Sequence, residues 1–416
     1  GYRNVIATDV GGTSFDLGLV VEQNVRNYDF RPILDRWMVG ITMLQTISIG
    51  AGGGSIAWIN ETLGNRLEVG PRSAGSFPGP VCYDQGGEDP TVTDADLALG
   101  YIDPDYYFGG RMMLNKAKAE EAIRTKIAEP LGVSVQEAAL LIRNIVDEKM
   151  SAAIRKEINL RGYDPREFVL FAFGGGGPTH VAGYMGEIPV SVIFPFSPVF
   201  SALGSSLMDI MHIYEQSRRY TLMEPNTRKF NTNYEEFNTI VEALMDKAKK
   251  ELAGEGLPLD QVVFRLELDM LYGGQVHRKR SSSPVLFIRS EEDMAAVYRD
   301  FEKEFSETFS PLVVHPEGGV YVESFVVTAA IPSIKQPTPK HELEGLDPVQ
   351  ARKKSRECYW GNGKSCQTEV LDFVTLKAGN RVLGPAILEA EYTTVVIPEG
   401  FVCNIDEHLF GRIERI

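Results

Sequence analysis

Short apolar runs broken by glycine dominate the first sixty residues. Residues 4–7 and 17–21 are apolar and flank Thr8-Asp-Val-Gly-Gly-Thr-Ser-Phe-Asp16, so strand, glycine turn and strand predict a hairpin. Residues 43–49 predict another strand, which runs into Gly50-Ala-Gly-Gly-Gly-Ser55. From 69 to 105 the chain is rich in Gly, Pro, Asp and Ser, predicting a long ordered loop with a short helix near 94–100. The apolar period then lengthens. Leu141, Ile145, Met150, Ile154 and Ile158 recur at helical spacing, Ser134 and Glu137 match a capping box, and Gly162 is a stop, so a helix is predicted over 134–161. Residues 168–173 read as a buried strand running into Gly174-Gly-Gly-Gly-Pro-Thr-His180, 191–194 as a further strand, and 196–207 as a loop.

Beyond 215 the pattern changes. Residues 218–233 are polar and pass from strand to loop, 234–254 and 291–309 predict helices, and 262–270 and 321–330 predict strands. A Pro/Lys/Glu linker covers 334–347, and 359–416 read as short strands in a small β-rich module. The expected division is an α/β core over 1–215, an α/β region over 216–340 and a C-terminal β module over 341–416.

The net charge of −15 argues against a nucleic acid or an anionic membrane surface as partner. It also requires any anionic ligand to be held locally, by backbone N–H groups, helix dipoles, a metal or single basic residues. The four cysteines form no C-x-x-C pair, which removes the usual zinc signature and suits a reducing cytoplasm. No apolar run reaches the ~18–20 residues of a membrane span. A chain that opens on Gly1, just ahead of a strand, reads as a fragment of a longer protein.

The first candidate for chemistry is the hairpin. Gly11 and Gly12 let a phosphate approach the backbone, Thr13 and Ser14 add hydroxyl and N–H donors, and Asp9 and Asp16 flank the turn where a hard cation such as Mg²⁺ prefers carboxylates. The alternative is a hairpin that merely turns. The second is the loop Gly174, Gly175, Gly176, Gly177 and Pro178, four glycines ahead of a helix start that favours an anion. Ordering it is entropically costly, which favours ligand contact over a flexible loop. His180 either lines that site or caps the loop. Gly50–Ser55 is a third glycine segment or a tight turn. In Thr91-Val-Thr-Asp-Ala-Asp96, Asp94 and Asp96 could serve a metal or substrate, or Thr93 or Asp94 could cap a helix. Serine-hydrolase, zincin and Walker motifs are absent.

These motifs, in this order, resemble the second half of an actin/sugar-kinase type ATPase, and more narrowly the hydantoinase A/oxoprolinase family. Pro90-Thr-Val-Thr-Asp-Ala-Asp96, Val69-Gly-Pro-Arg-Ser-Ala-Gly75 and Gly384-Pro-Ala-Ile387 extend the resemblance across nearly the whole chain. Gly162-Tyr-Asp-Pro165, Val81-Cys-Tyr-Asp-Gln85 and Leu376-Lys-Ala-Gly-Asn-Arg-Val-Leu-Gly-Pro385 make it most similar to large subunits of ATP-dependent acetone and acetophenone carboxylases. The resemblance implies a ribonuclease-H-like ATPase half that binds ATP and Mg²⁺. In it, Asp9, Asp16 and Asp94 would hold the metal, Gly11 to Ser14 the phosphate, and Gly174 to Pro178 with His180 the adenosine side. It further implies partner carboxylase subunits, an N-terminal segment bearing a first phosphate element, bicarbonate, and a small ketone. ATP-dependent opening of a cyclic amide, or a non-catalytic nucleotide-binding scaffold, are the alternatives. Tyr272-Gly-Gly-Gln275 lacks the Arg that relatives often carry there, so that contact is not transferred.

Overall fold

Strands β1 (Val5–Val10) and β2 (Phe15–Val21) form the expected hairpin, with Asp9 opposite Asp16 and Val10 opposite Phe15 at its closed end. The computed structural model describes residues 2–21, 24–25, 33–34, 36–38, 46–335, 337–363 and 365–416. Of the strand expected over 43–49, Thr46–Ile49 (β3) is described and pairs antiparallel with β2, and 43–45 lie outside the described residues. Strand β4 (Val169–Phe173) runs parallel to β1, and β5 (Val190–Ile193) parallel to β4. The order β3-β2-β1-β4-β5 is that of the ribonuclease-H-like fold implied by the sequence.

Alternation along β1 decides which side chains meet the core. Ile6, Thr8 and Val10 are buried on one face, so Ala7 and Asp9 point to the other. Phe15 and Leu17 on β2 join the first face and leave Asp16 on the second. Helices α1 (Val92–Ala98), α2 (Val135–Leu160) and α3 (Gly177–Tyr184) contribute to the same core, which gathers Ile142, Val146 and Met150 around Val10 and Tyr184.

The segmentation differs from the sequence expectation. The chain forms two compact units, Gly1–Gly204 with Pro337–Ile416, and Ser205–Gln336. The C-terminal strands are therefore no free-standing module. Gly411–Arg415 pairs antiparallel with β5, and Phe401–Ile405 and Arg381–Leu383 follow outward, completing a nine-stranded sheet. Arg356–Tyr359, Ser365–Asp372, Ala386–Glu389 and Thr394–Ile397 form a second sheet, whose last strand packs on α3. Pairing across more than 200 residues leaves no trace in local periodicity.

The Ser205–Gln336 unit is a four-stranded antiparallel sheet, in the order Ile210–Met223, Val320–Ile331, Val263–Tyr272 and Lys279–Ser282. Helices Tyr234–Gly254 and Glu291–Thr308 share its core. Three local expectations were off. Residues 69–73, expected in a loop, end the strand Arg66–Ser73, which pairs with Ser55–Asn60; Phe200–Ser206 is helical rather than loop; and the first strand of the second unit begins at Ile210, ahead of the polar stretch.

Helix α2 begins on the expected box, with Ser134 and Glu137 bonding reciprocally. Its buried stripe is Ala138, Ile142, Val146, Met150, Ile154 and Ile158, in steps of four, so Leu141 falls off it and is 40% exposed. Ile142→Ala should therefore destabilise the protein by about 2–5 kcal/mol and Leu141→Ala by less than about 0.5 kcal/mol. Denaturant melts of both variants check this; equal losses would put the helix in a different phase.

Candidate functional site

The glycine segments converge at the carboxyl ends of β1 and β4. Gly53 N–H donates to Gly11 O at 3.1 Å and Gly54 N–H to Gly12 O at 2.6 Å. A Cβ on Gly52 would stand 2.6 Å from Gly11 O, and one on Gly54 2.9 Å from Gly12 O, so this backbone-to-backbone approach needs glycine. Gly176 N–H donates to Val10 O at 2.9 Å, tying the later loop to the same hairpin. Thr93, on the first turn of α1, closes the group by donating through Oγ1 to Gly53 O at 2.9 Å.

Gly11, Gly12, Gly53 and Gly54 line a cleft of about 280 Å³, joined by Gly175, Gly176, Thr179 and His180 across it. A Cβ on Gly11 or Gly12 would meet nothing within 4 Å, so packing within the chain does not explain these two glycines. The N–H groups of Gly12, Thr13 and Ser14 have no backbone acceptor among the described residues. An exposed glycine turn with free N–H groups is a nest for an anion.

Other expected site residues stand elsewhere. Gly174, at φ 77°, is buried against Asp9 and Val10, where any Cβ would overlap them; its role is packing. Gly177 and Pro178 are buried in the first turn of α3 and do not line the cleft. Asp94 is a cap, not an open metal ligand. Its buried carboxylate accepts from Val81 N, Cys82 N, Thr91 N and Thr91 Oγ1 at 2.7–3.1 Å, which occupies the roughly four acceptor sites of a carboxylate.

Asp9 and Asp16 face each other across β1 and β2, on the sheet face opposite Thr8 and Val10. Asp9 accepts from Ser201 Oγ at 2.6 Å and Asp16 from Ser14 Oγ at 2.8 Å. Among the described residues neither has a basic partner. Like charges directly opposite are destabilising, and a cation would relieve them.

His180 lines the cleft, as one of its two readings expects, but its ring is engaged on both sides. Its Nδ1 lies 2.7 Å from Asp147 Oδ1 and its Nε2 3.1 Å from Asp96 Oδ2. Only a doubly protonated ring donates to both. Burial opposes the charge, but the Asp96 and Asp147 carboxylates outweigh it and push the His180 pKa up to about 9. Arg143 pairs with Asp96 and donates to Thr179 O, so two cations and two carboxylates form a closed buried set. For Asp96 burial works toward protonation, and His180 and Arg143 overcome it and hold the carboxyl below its ordinary range.

The site also uses residues that sequence reasoning passed over. Arg143 and Asp147 are polar positions on the buried face of α2, beside its apolar stripe, and that contradiction was the available signal. The loop Glu389–Thr394 forms a whole wall: Thr393 Oγ1 donates to Gly175 O and Thr179 Oγ1 to Thr394 O, at 2.9 and 2.7 Å.

Comparison with known proteins agrees with this fold. A family model described as Hydantoinase/oxoprolinase matches residues 1–214, and one for the Hydantoinase/oxoprolinase C-terminal domain matches 225–415. The chain is 59% identical, over its full length, to the acetophenone carboxylase gamma subunit of Aromatoleum aromaticum, covering 57% of that protein. It is 30% identical to the acetone carboxylase beta subunit of Xanthobacter autotrophicus, again over its full length and 58% of the relative. A nucleotide-free structure of acetone carboxylase superposes with a TM-score of 0.84 at 29% identity, and the ATP-dependent caprolactamase of Pseudomonas jessenii with 0.82 at 30%; each match covers all of this chain and 59% of the other. The chain thus spans little more than half of the relatives it matches.

The protonated His180 carries a sign-definite pH dependence. Its folded pKa lies above the unfolded value of 6.5, so its contribution is complete below about pH 6.5 and is lost as pH rises through about 9. Melting temperature should fall over that window. His180→Gln should be less stable by about 3–5 kcal/mol at pH 6 and should show a flatter profile. A variant that keeps the wild-type slope would place the titrating group elsewhere.

Proposed function

The chain belongs to the hydantoinase/oxoprolinase family, and from that premise we propose that it forms part of the ATP site of a ketone carboxylase. The observation that carries the reading is the convergence of the Gly11–Gly12, Gly53–Gly54 and Gly175–Gly176 backbones on one cleft. In this reading the free N–H groups of Gly12, Thr13 and Ser14 bind the phosphates, and Gly175 and Gly176 leave room for the nucleoside. The charged set around His180 fixes the first turn of α3 beneath them. Stabilisation is by positioning and fixed dipoles, the usual contribution of a protein to phosphoryl transfer.

The terminal phosphoryl of ATP would pass to an oxygen of bicarbonate or of the ketone's enolate, leaving ADP. The mixed anhydride or enol phosphate then supports carbon–carbon bond formation with release of phosphate. The cross-strand carboxylates Asp9 and Asp16, which have no cation among the described residues, fit a Mg²⁺ ion. When bound, that ion would neutralise phosphate charge. We place the protein in the cytoplasm, where its four free cysteines, three of them buried, stay reduced. Partner subunits complete the carboxylase. The assembled enzyme should turn over ATP with acetone or acetophenone; turnover only with hydantoin or 5-oxoproline would assign it to amide opening instead.

Asp9→Asn should abolish ATP turnover and leave the melting temperature equal or slightly raised, because it removes one of two facing like charges. Near-normal ATPase at saturating Mg²⁺ would remove Asp9 from the metal role. Gly175→Val tests the loop. A Cβ there meets only Tyr392 O, at 3.8 Å, so the variant should fold. It should raise the nucleotide Kd at least ~10-fold, about 1.4 kcal/mol. Unchanged binding would reduce the loop to a turn.

A further inference from the structure

The cleft has an aromatic wall that the phosphate chemistry does not use. Tyr83, Tyr107, Phe108 and Tyr392 line it. Their rings follow one another, with centroids 5.9 Å apart from Tyr83 to Tyr107, 4.6 Å from Tyr107 to Phe108 and 6.2 Å from Phe108 to Tyr392. Tyr83 and Tyr107 share a hydroxyl hydrogen bond of 3.0 Å.

Phe108 is the unusual member. It sits at φ 51°, followed by Gly109 at 64° and Gly110 at 81°, so three successive residues are left-handed. Glycine adopts that region freely; phenylalanine does so at a cost. Phe108 is 41% exposed, so burial within the chain does not repay the strain. The loop is nevertheless tied to its neighbours by Arg111. Arg111 Nε donates to Phe108 O at 3.2 Å. The same guanidinium pairs with Glu391, bonds Tyr392 Oη and lies 5.2 Å from the Tyr392 ring centroid. A built clasp thus joins two loops distant in sequence and presents two aromatic rings to the cleft.

We propose that Phe108 and Tyr392 form a subsite for a flat aromatic ring. The subsite shares the cleft assigned above to ATP and rests on that reading only for the identity of one ring source. The ring is either the base of ATP or the aryl group of a ketone substrate; both would stack or meet edge-to-face on these side chains. Strain at Phe108 persists because the left-handed backbone aims its ring at the ligand.

The test uses the full-length protein with its partner subunits. Calorimetry compares four probes, ATP·Mg, inorganic triphosphate·Mg, acetophenone and acetone, on wild type, Phe108→Ala, Phe108→Gly and Phe108→Tyr. The subsite predicts at least ~10-fold weaker binding of a ring-bearing probe to the Ala and Gly variants. Triphosphate and acetone should bind unchanged, and Phe108→Tyr should retain wild-type affinity. Loss with ATP identifies the base, loss with acetophenone the aryl group. Phe108→Gly should also melt higher than wild type, since it relieves the strain. The proposal is overturned if Phe108→Ala binds both ring-bearing probes as wild type does, if triphosphate and acetone are lost equally, or if wild type binds no ring-bearing probe. Wild type that binds neither ATP nor triphosphate contradicts the function above, while the acetophenone and acetone pair still decides the subsite.

Discussion

The site depends on backbones packed closer than any side chain permits. Gly174 fits against Asp9 and Val10 only without a Cβ, and Gly52 and Gly54 fit against the carbonyls of Gly11 and Gly12 on the same condition. Those approaches bring β1, β4 and the loop after β3 to one point, where their hydrogen bonds hold the hairpin tip rigid. With the tip's carbonyls engaged, its N–H groups at Gly12, Thr13 and Ser14 have no backbone acceptor among the described residues. The tip glycines Gly11 and Gly12 themselves meet nothing within 4 Å where a Cβ would stand, which leaves room for the phosphate that we propose binds there.

A second constraint lies beneath the first. The buried set of Asp96, Arg143, Asp147 and His180 joins α1, α2 and α3 through charge-assisted bonds. Buried ions are costly singly, and this set is tolerable because the charges balance and each faces an opposite one. It ties the start of α3, and with it Gly175 and Gly176, to the segment that carries Thr93. The cleft's walls are thus set by backbone contact on one side and by charge pairing below.

Much of this was legible in the sequence, because the hairpin, the glycine loops and the capped helix are local patterns. Tyr234–Gly254 and the capping box at Ser134 emerged as expected for that reason. What escaped was non-local. The wall from Glu389 to Thr394 reaches Gly175 across more than 200 residues. Asp94 was ambiguous as metal ligand or cap until the backbone N–H groups of Val81 and Cys82 were seen on its carboxylate. The phase of α2 is off at Leu141 because two polar residues, Arg143 and Asp147, are buried beside the apolar stripe and break the pattern of its buried face. Phe108 gave no signal, since its left-handed backbone is invisible in its identity.

In the proposed function the hairpin tip and the Gly175–Gly176 loop together hold ATP, with a cation at the facing carboxylates. A crystal structure of the full-length protein with a non-hydrolysable ATP analogue and Mn²⁺ tests it most directly, since the anomalous signal locates the metal independently of the nucleotide. The account predicts phosphate density on the N–H groups of Gly12 to Ser14, the nucleoside along Gly175 and Gly176, and the anomalous peak bonded to Asp9 or Asp16 directly or through one water. A nucleotide bound away from both glycine segments, or a metal peak remote from both carboxylates, would contradict it.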